Sequence, residues 1–169
     1  MIKLVDILKE ITEAKQVGDV YHFTSLDGAY GILTDGFISA NEESHTSARG
    51  NNGQISVTRN KNLDTAPFWD YDRGNIKIRL KLDGDKISNK YKIRPDQYSE
   101  EPDSEPPAYL GKFEFEEKIA TRDGKLPVYP YLKSVTIYLE NEQDFDKKTL
   151  SQIENILKEK NIPYEIKES

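Results

Sequence analysis

The chain has 169 residues, 24 Lys and Arg against 30 Asp and Glu, a formal net charge of −6 and no cysteine. That length is enough for one domain over residues 1–169 with a real core, and 36% hydrophobic with 32% charged residues is the composition of a water-soluble globule. The missing cysteines exclude disulfides, thiolate metal centres and a cysteine nucleophile, and the acidic balance gives no support for a general binder of phosphate backbones.

No apolar run approaches the roughly 20 residues of a membrane span. The opening residues mix Lys3, Asp6, Lys9 and Glu10 with hydrophobes instead of forming a signal-peptide block. A cytoplasmic protein without a membrane partner is the expectation. With only two histidines, His22 and His45, no metal site is expected either.

Leu4, Val5, Leu8 and Ile11 recur at helical spacing and predict an amphipathic packing helix within residues 1–18. Residues 19–23 read as a strand. Ser25 is a good helix N-cap, Leu26, Ala29, Tyr30 and Leu33 give a helical face, and Gly36 can stop that helix in a left-handed conformation. Residues 37–40 make a short return strand, and the polar stretch 41–53, which holds His45 and Arg49, is a loop. In residues 54–59, Ile55 and Val57 alternate with Ser56 and Thr58, the pattern of a strand.

Residues 76–82 alternate most strictly, with Ile76, Ile78, Leu80 and Leu82 opposite Lys77, Arg79 and Lys81, whose cations are predicted to form a solvated sheet face. Asp83-Gly84-Asp85 reads as a turn. Residues 96–107 carry five acids, three prolines and no cation, so they form an exposed loop. A strand over residues 112–118 would turn Phe113 and Phe115 to one face and Glu114 and Glu116 to the other, with Glu117 on the phenylalanine side. Val135, Ile137 and Leu139 mark a strand over 133–139. Leu150, Ile153, Ile156 and Leu157 mark an amphipathic helix, and Tyr164-Glu165-Ile166 a last strand. This order argues for an α+β fold with a largely antiparallel sheet core.

Three polar groups can carry chemistry. His22 and Thr24 share a strand face, where an imidazole and a hydroxyl can orient the hydroxyls or amide of a ligand; a hydrogen-bonded structural histidine is the competing reading. Glu114 and Glu116 share a face too. Two carboxylates that close raise at least one pKa, as a site with one acceptor and one orienter requires, and the competing reading is an edge strand blunted by charge. Ser56, Thr58, Arg59 and Asn60 cluster at a strand end, where Arg59 can hold a phosphate by two hydrogen bonds, with Arg49 as reserve.

Tyr21-His22-Phe23-Thr24-Ser25 leading into the helix 26–38 segment, then Ile55-Ser56-Val57-Thr58-Arg59, then Phe113-Glu114-Phe115-Glu116-Glu117 resemble, in this order, the ADP-ribosyltransferase superfold. The module is similar to the His-Tyr-Glu branches, to DNA-modifying ADP-ribosyltransferase toxins and to RNA 2′-phosphotransferases. The resemblance covers residues 19–140 and leaves 141–169 as a C-terminal helix and strand. It implies a split antiparallel sheet core with flanking helices around a cleft for NAD, which is a substrate. His22 would contact the NAD ribose, with Thr24, Ser56, Thr58 and Arg59 completing the cofactor-binding set. Glu116 would stabilise the ribosyl oxocarbenium and Glu114 would position the acceptor. The activity implied is mono-ADP-ribosyl transfer to a host macromolecule, with protein, DNA, RNA and water all open as acceptor. The opening helix running into this module also resembles small proteins of tailed bacteriophages, which would put the chain in a bacterial host cytoplasm.

Two other functions fit parts of the sequence. His22-Phe23-Thr24 and His45-Thr46-Ser47 could be arms of a two-histidine phosphodiesterase. The acidic 96–107 stretch could instead be the contact surface of a non-enzymatic inhibitor or nucleic-acid mimic on the same scaffold.

Overall fold

The computed structural model describes residues 17–40, 54–62, 78–95, 117–139 and 146–168. The expected N-terminal helix up to residue 16, the loop with His45 and Arg49, the acidic stretch 96–107, and Glu114 and Glu116 lie outside the described residues.

In chain order the elements are β1 (Asp19–Thr24), α1 (Leu26–Asp35), β2 (Phe37–Ser39), β3 (Gln54–Val57), β4 (Ile78–Asp83) and α2 (Gly84–Ser88). They continue with β5 (Lys92–Pro95), β6 (Glu117–Ala120), β7 (Lys125–Pro127), β8 (Leu132–Leu139), α3 (Lys147–Glu159) and β9 (Tyr164–Glu168). The main sheet has the order β1-β4-β8-β9, a second sheet the order β3-β6-β5, and β2 pairs with β7. Every pairing is antiparallel except β8 with β9. Parallel neighbours need a crossover, and α3 supplies it.

The two larger sheets meet at β1. On one edge β1 pairs along its whole length with β4; on the other it makes a single bridge to the end of β3. There the Tyr21 N–H donates to the Thr58 carbonyl at 2.7 Å and the Thr58 N–H to the Tyr21 carbonyl at 2.9 Å. The two sheets part at this seam, which places the ends of β1 and β3 side by side, while one hydrophobic core serves both sheets.

Strict alternation explains the main sheet. Ile78, Leu80 and Leu82 on β4 and Val135 and Ile137 on β8 are completely buried, together with Ala29 and Leu33 of α1 and Ile153 and Leu157 of α3. α1 packs on α3, so both helices contribute their apolar stripes to one core.

Two expectations are corrected. Asp83-Gly84-Asp85 is not a turn but the start of α2: Asp83 is the N-cap, accepting the Lys86 N–H at 3.0 Å. Asp85 Oδ1 then accepts the Val17 and Gly18 N–H groups at 2.7 and 3.0 Å, which ties the entry of β1 to this helix. Gly84 permits the approach, because a Cβ there would stand 2.4 Å from the Gly18 carbonyl oxygen.

The cations of β4 do not form a solvated face. The Arg79 side chain is only 12% exposed. It donates to Thr136 Oγ1 at 2.8 Å and to the Lys61 carbonyl, and its guanidinium lies 5.3 and 5.8 Å from the Tyr21 and Tyr138 ring centres. Lys81 pairs with Asp19 at 2.8 Å. The neighbouring strands place aromatic, hydroxyl and carboxylate groups across from these cations, and alternation along one strand carries no information about that. Finally, β6 is described from Glu117 and runs to Ala120, two residues beyond the expected strand end.

Candidate active site

The β1–α1 junction is built by local chemistry. Ser25 is extended (ψ 169°) and its hydroxyl accepts the Gly28 N–H at 3.0 Å, so it caps α1. Gly36, at φ 79°, ends the helix and donates to the Ile32 carbonyl at 2.8 Å. Thr24 Oγ1 lies directly over the first helical turn: a Cβ on residue 28 would sit 2.2 Å from it. Glycine at 28 is therefore what lets the strand turn into the helix with the Thr24 hydroxyl in place.

His22 lies on the same face of the main sheet as its register partner Leu80, at the edge beside β3. Its Nδ1 is 2.9 Å from the Ser56 carbonyl oxygen. A carbonyl only accepts, so Nδ1 carries the hydrogen, and in the neutral ring Nε2 is the acceptor nitrogen. The Tyr21–Thr58 bridge next to this contact fixes the two strands, so the tautomer is set by backbone geometry.

Ser56 is half-buried, and its hydroxyl accepts a hydrogen bond from Lys118 Nζ at 2.5 Å. Ser56 and Lys118 are register partners between β3 and β6. His22, Ser56 and Lys118 thus form one hydrogen-bonded chain across three strands and both large sheets.

Thr58 is completely buried and its hydroxyl accepts the Asn60 N–H at 3.0 Å; Asn60 Oδ1 in turn accepts the Asn62 N–H at 3.0 Å. These side-chain turns shape the exit from β3 and leave Arg59 exposed at the rim. Of the residues singled out in the sequence, the structure brings His22 and Ser56 into one network, sets Thr24 over the helix start, encloses Thr58 and leaves Arg59 at the surface.

Lys118 was not anticipated. The pattern over residues 112–118 points to the carboxylates Glu114 and Glu116, and Lys118 only closes the expected strand. The available signal was parity: positions 114, 116 and 118 share one face of any strand that runs through them. Among the described residues no cluster of three or more His, Asp and Glu side chains could hold a metal ion.

On β1, β8 and β9 the ion pairs shift the ionisation of Asp19, Lys133 and Glu165. Partial burial acts to raise the Asp19 carboxyl, but its hydrogen bonds to Lys133 (2.7 Å) and Lys81 (2.8 Å) outweigh that and hold it below its ordinary value. Asp19 in turn raises Lys133. Glu165 is lowered by the Thr136 hydroxyl at 2.9 Å, against a smaller opposing effect of burial, and further by Lys167 and Arg79. Arg79, Thr136 and Glu165 are successive register partners, offset by one residue from the His22 row, so this ionic network occupies the opposite sheet face.

No protein-family model matches the chain, and no curated protein matches it. Solved structures do. DarT of Thermus sp. 2.9 in complex with ADP-ribosylated ssDNA is similar with a TM-score of 0.52 at 13% identity, over 88% of this chain and 93% of that one. The same protein in complex with carba-NAD+ gives 0.53, and in complex with NAD+ 0.50, each at 13% identity over 88% of this chain and 94% of that one. The split antiparallel core with its flanking helices is therefore an ADP-ribosyltransferase-like fold, the architecture that the order of the three motifs implied.

Proposed function

We propose that the chain is an NAD-dependent mono-ADP-ribosyltransferase that modifies a host macromolecule. The observation that carries this reading is the tether between the His22 ring and the Ser56 backbone within an ADP-ribosyltransferase-like fold, since it joins the first two motif strands. DarT structures hold NAD+, carba-NAD+ and ADP-ribosylated ssDNA, which supports NAD as substrate and a nucleic acid as the first acceptor to test.

NAD supplies the ADP-ribosyl group. The bond between ribose C1′ and the nicotinamide nitrogen breaks, the electron pair leaves with nicotinamide, and the acceptor's nucleophile bonds to C1′ and loses its proton. His22 Nε2 suits a ribose hydroxyl as donor, because Nδ1 is already committed to Ser56. Thr24 and Ser56 offer hydroxyls to the ligand and Arg59 a phosphate partner at the rim. Thr58, enclosed and engaged with Asn60, supports the strand end instead of touching the ligand. Glu116 would supply the fixed negative charge that stabilises the developing ribosyl cation, a contribution of about 3 kcal/mol for one such group. Glu114 would position the acceptor.

Incubation with labelled NAD and a bacterial lysate, followed by nuclease or protease, tests this directly. Label that nuclease removes is the expected result. No label in any fraction contradicts the reading, and label that only protease removes moves the acceptor to protein.

A further inference from the structure

We infer that Lys118 is a positioning residue that makes the Ser56 hydroxyl a hydrogen-bond donor to the ligand. The inference rests on the proposed NAD site and adds a residue to it. The Lys118 ammonium has only hydrogens to give, so at 2.5 Å from Ser56 Oγ it occupies a lone pair of that oxygen. A serine hydroxyl that accepts from a cation keeps its own hydrogen for another partner and is polarised toward donating it. The Ser56 carbonyl already accepts from His22 Nδ1. One residue is thus held from two sides: its carbonyl orients the imidazole and its side chain is oriented by the ammonium.

The result is a hydroxyl with a set polarity: Ser56 Oγ–H is a donor, so it selects a ligand edge that offers an acceptor oxygen, as a nicotinamide riboside does. Without Lys118 the Ser56 hydroxyl rotates and can present a lone pair instead, which repels the same ligand oxygen. Register pins the arrangement: Ser56 and Lys118 are directly opposed on β3 and β6, and the pairing continues on both sides through Val57–Glu117 and Ile55–Ile119.

A double-mutant cycle read by calorimetric titration with NAD tests it. Lys118→Met should weaken NAD binding roughly tenfold, as loss of a charge-assisted hydrogen bond does. Ser56→Ala should weaken it by a similar factor, and the double variant should be no weaker than Ser56→Ala alone, because Lys118 acts through Ser56. Lys118→Arg keeps a cationic donor and should bind within about threefold of wild type. Losses that multiply in the double variant, or unchanged affinity in Lys118→Met, overturn the inference while leaving the NAD reading intact. If Lys118→Met does not fold, Lys118→Arg decides: retained affinity supports the inference, and a loss as large as that of Ser56→Ala overturns it. A wild-type chain that gives no heat with millimolar NAD overturns the NAD reading itself.

Discussion

His22 shows how much one hydrogen bond decides. Because Nδ1 donates to the Ser56 carbonyl, the ring is fixed in orientation and in tautomer. Under the proposed function its contact with NAD would be made in the ground state, so His22→Ala should weaken NAD binding about tenfold or more and not only slow turnover, as the loss of a hydrogen bond to a buried partner does. Titration calorimetry on the two proteins checks this, and equal affinities would make His22 a structural histidine after all. Asp19 carries a different kind of prediction. Its folded pKa lies below its ordinary value of 3.8, so the stability it contributes is complete above about that pH and is lost as pH falls through the lowered folded value. Acid denaturation should therefore steepen below about pH 4. Asp19→Asn should lose stability at neutral pH and show a flatter acid limb, because its two lysine partners keep their charge. Glu165 adds the same sign of dependence, but its side chain is 53% exposed and solvent screens most of it.

At the scale of elements, alternation and capping were legible because both are local. Ile55 and Val57, the four aliphatics of 76–82, Ser25 and Gly36 announce strands and helix ends through their own neighbours. The charge of β4 was not legible in that way. Period two says that Arg79 and Lys81 share a face, but only the pairing of β1, β4, β8 and β9 says that Phe23, Thr136 and Glu165 stand in the Arg79 row. Arg79→Lys keeps the charge and loses the fork that reaches Thr136 and Lys61. It should lower stability by about 1–3 kcal/mol, seen as a lower melting temperature. The β1–α1 junction gives the sharper test. In an open helix Gly→Ala would stabilise by about 1 kcal/mol. Gly28→Ala should destabilise, because its Cβ meets Thr24 Oγ1 at 2.2 Å. Adding Thr24→Ala should restore part of the loss, whereas Thr24→Val should not, since it keeps a branch at that position. A Gly28→Ala protein as stable as wild type would contradict the close approach of Thr24 to residue 28.

Across the whole molecule, the sequence foretold an α+β core with antiparallel pairing, and the structure adds the seam at Tyr21–Thr58 and the parallel last strand. Such long-range register is invisible from one segment at a time. It is also what brought Lys118 to Ser56 while the sequence pointed to the glutamates before it. Beside Ser56, the Lys118 ammonium donates to the serine hydroxyl, and the register that opposes these two residues also sets Glu117 across from Val57.

Under the proposed function, the bond between ribose and nicotinamide breaks with the help of a fixed carboxylate at Glu116. The direct measurement is nicotinamide release from NAD by wild type and by Glu116→Gln, with NAD affinity measured on both. Wild type should release nicotinamide when given an acceptor. Glu116→Gln should bind NAD about as well but turn over roughly a hundredfold to a thousandfold more slowly, the pattern of an interaction made in the transition state. Full activity in Glu116→Gln, or no nicotinamide release by wild type with nucleic-acid and protein acceptors both supplied, would contradict this function.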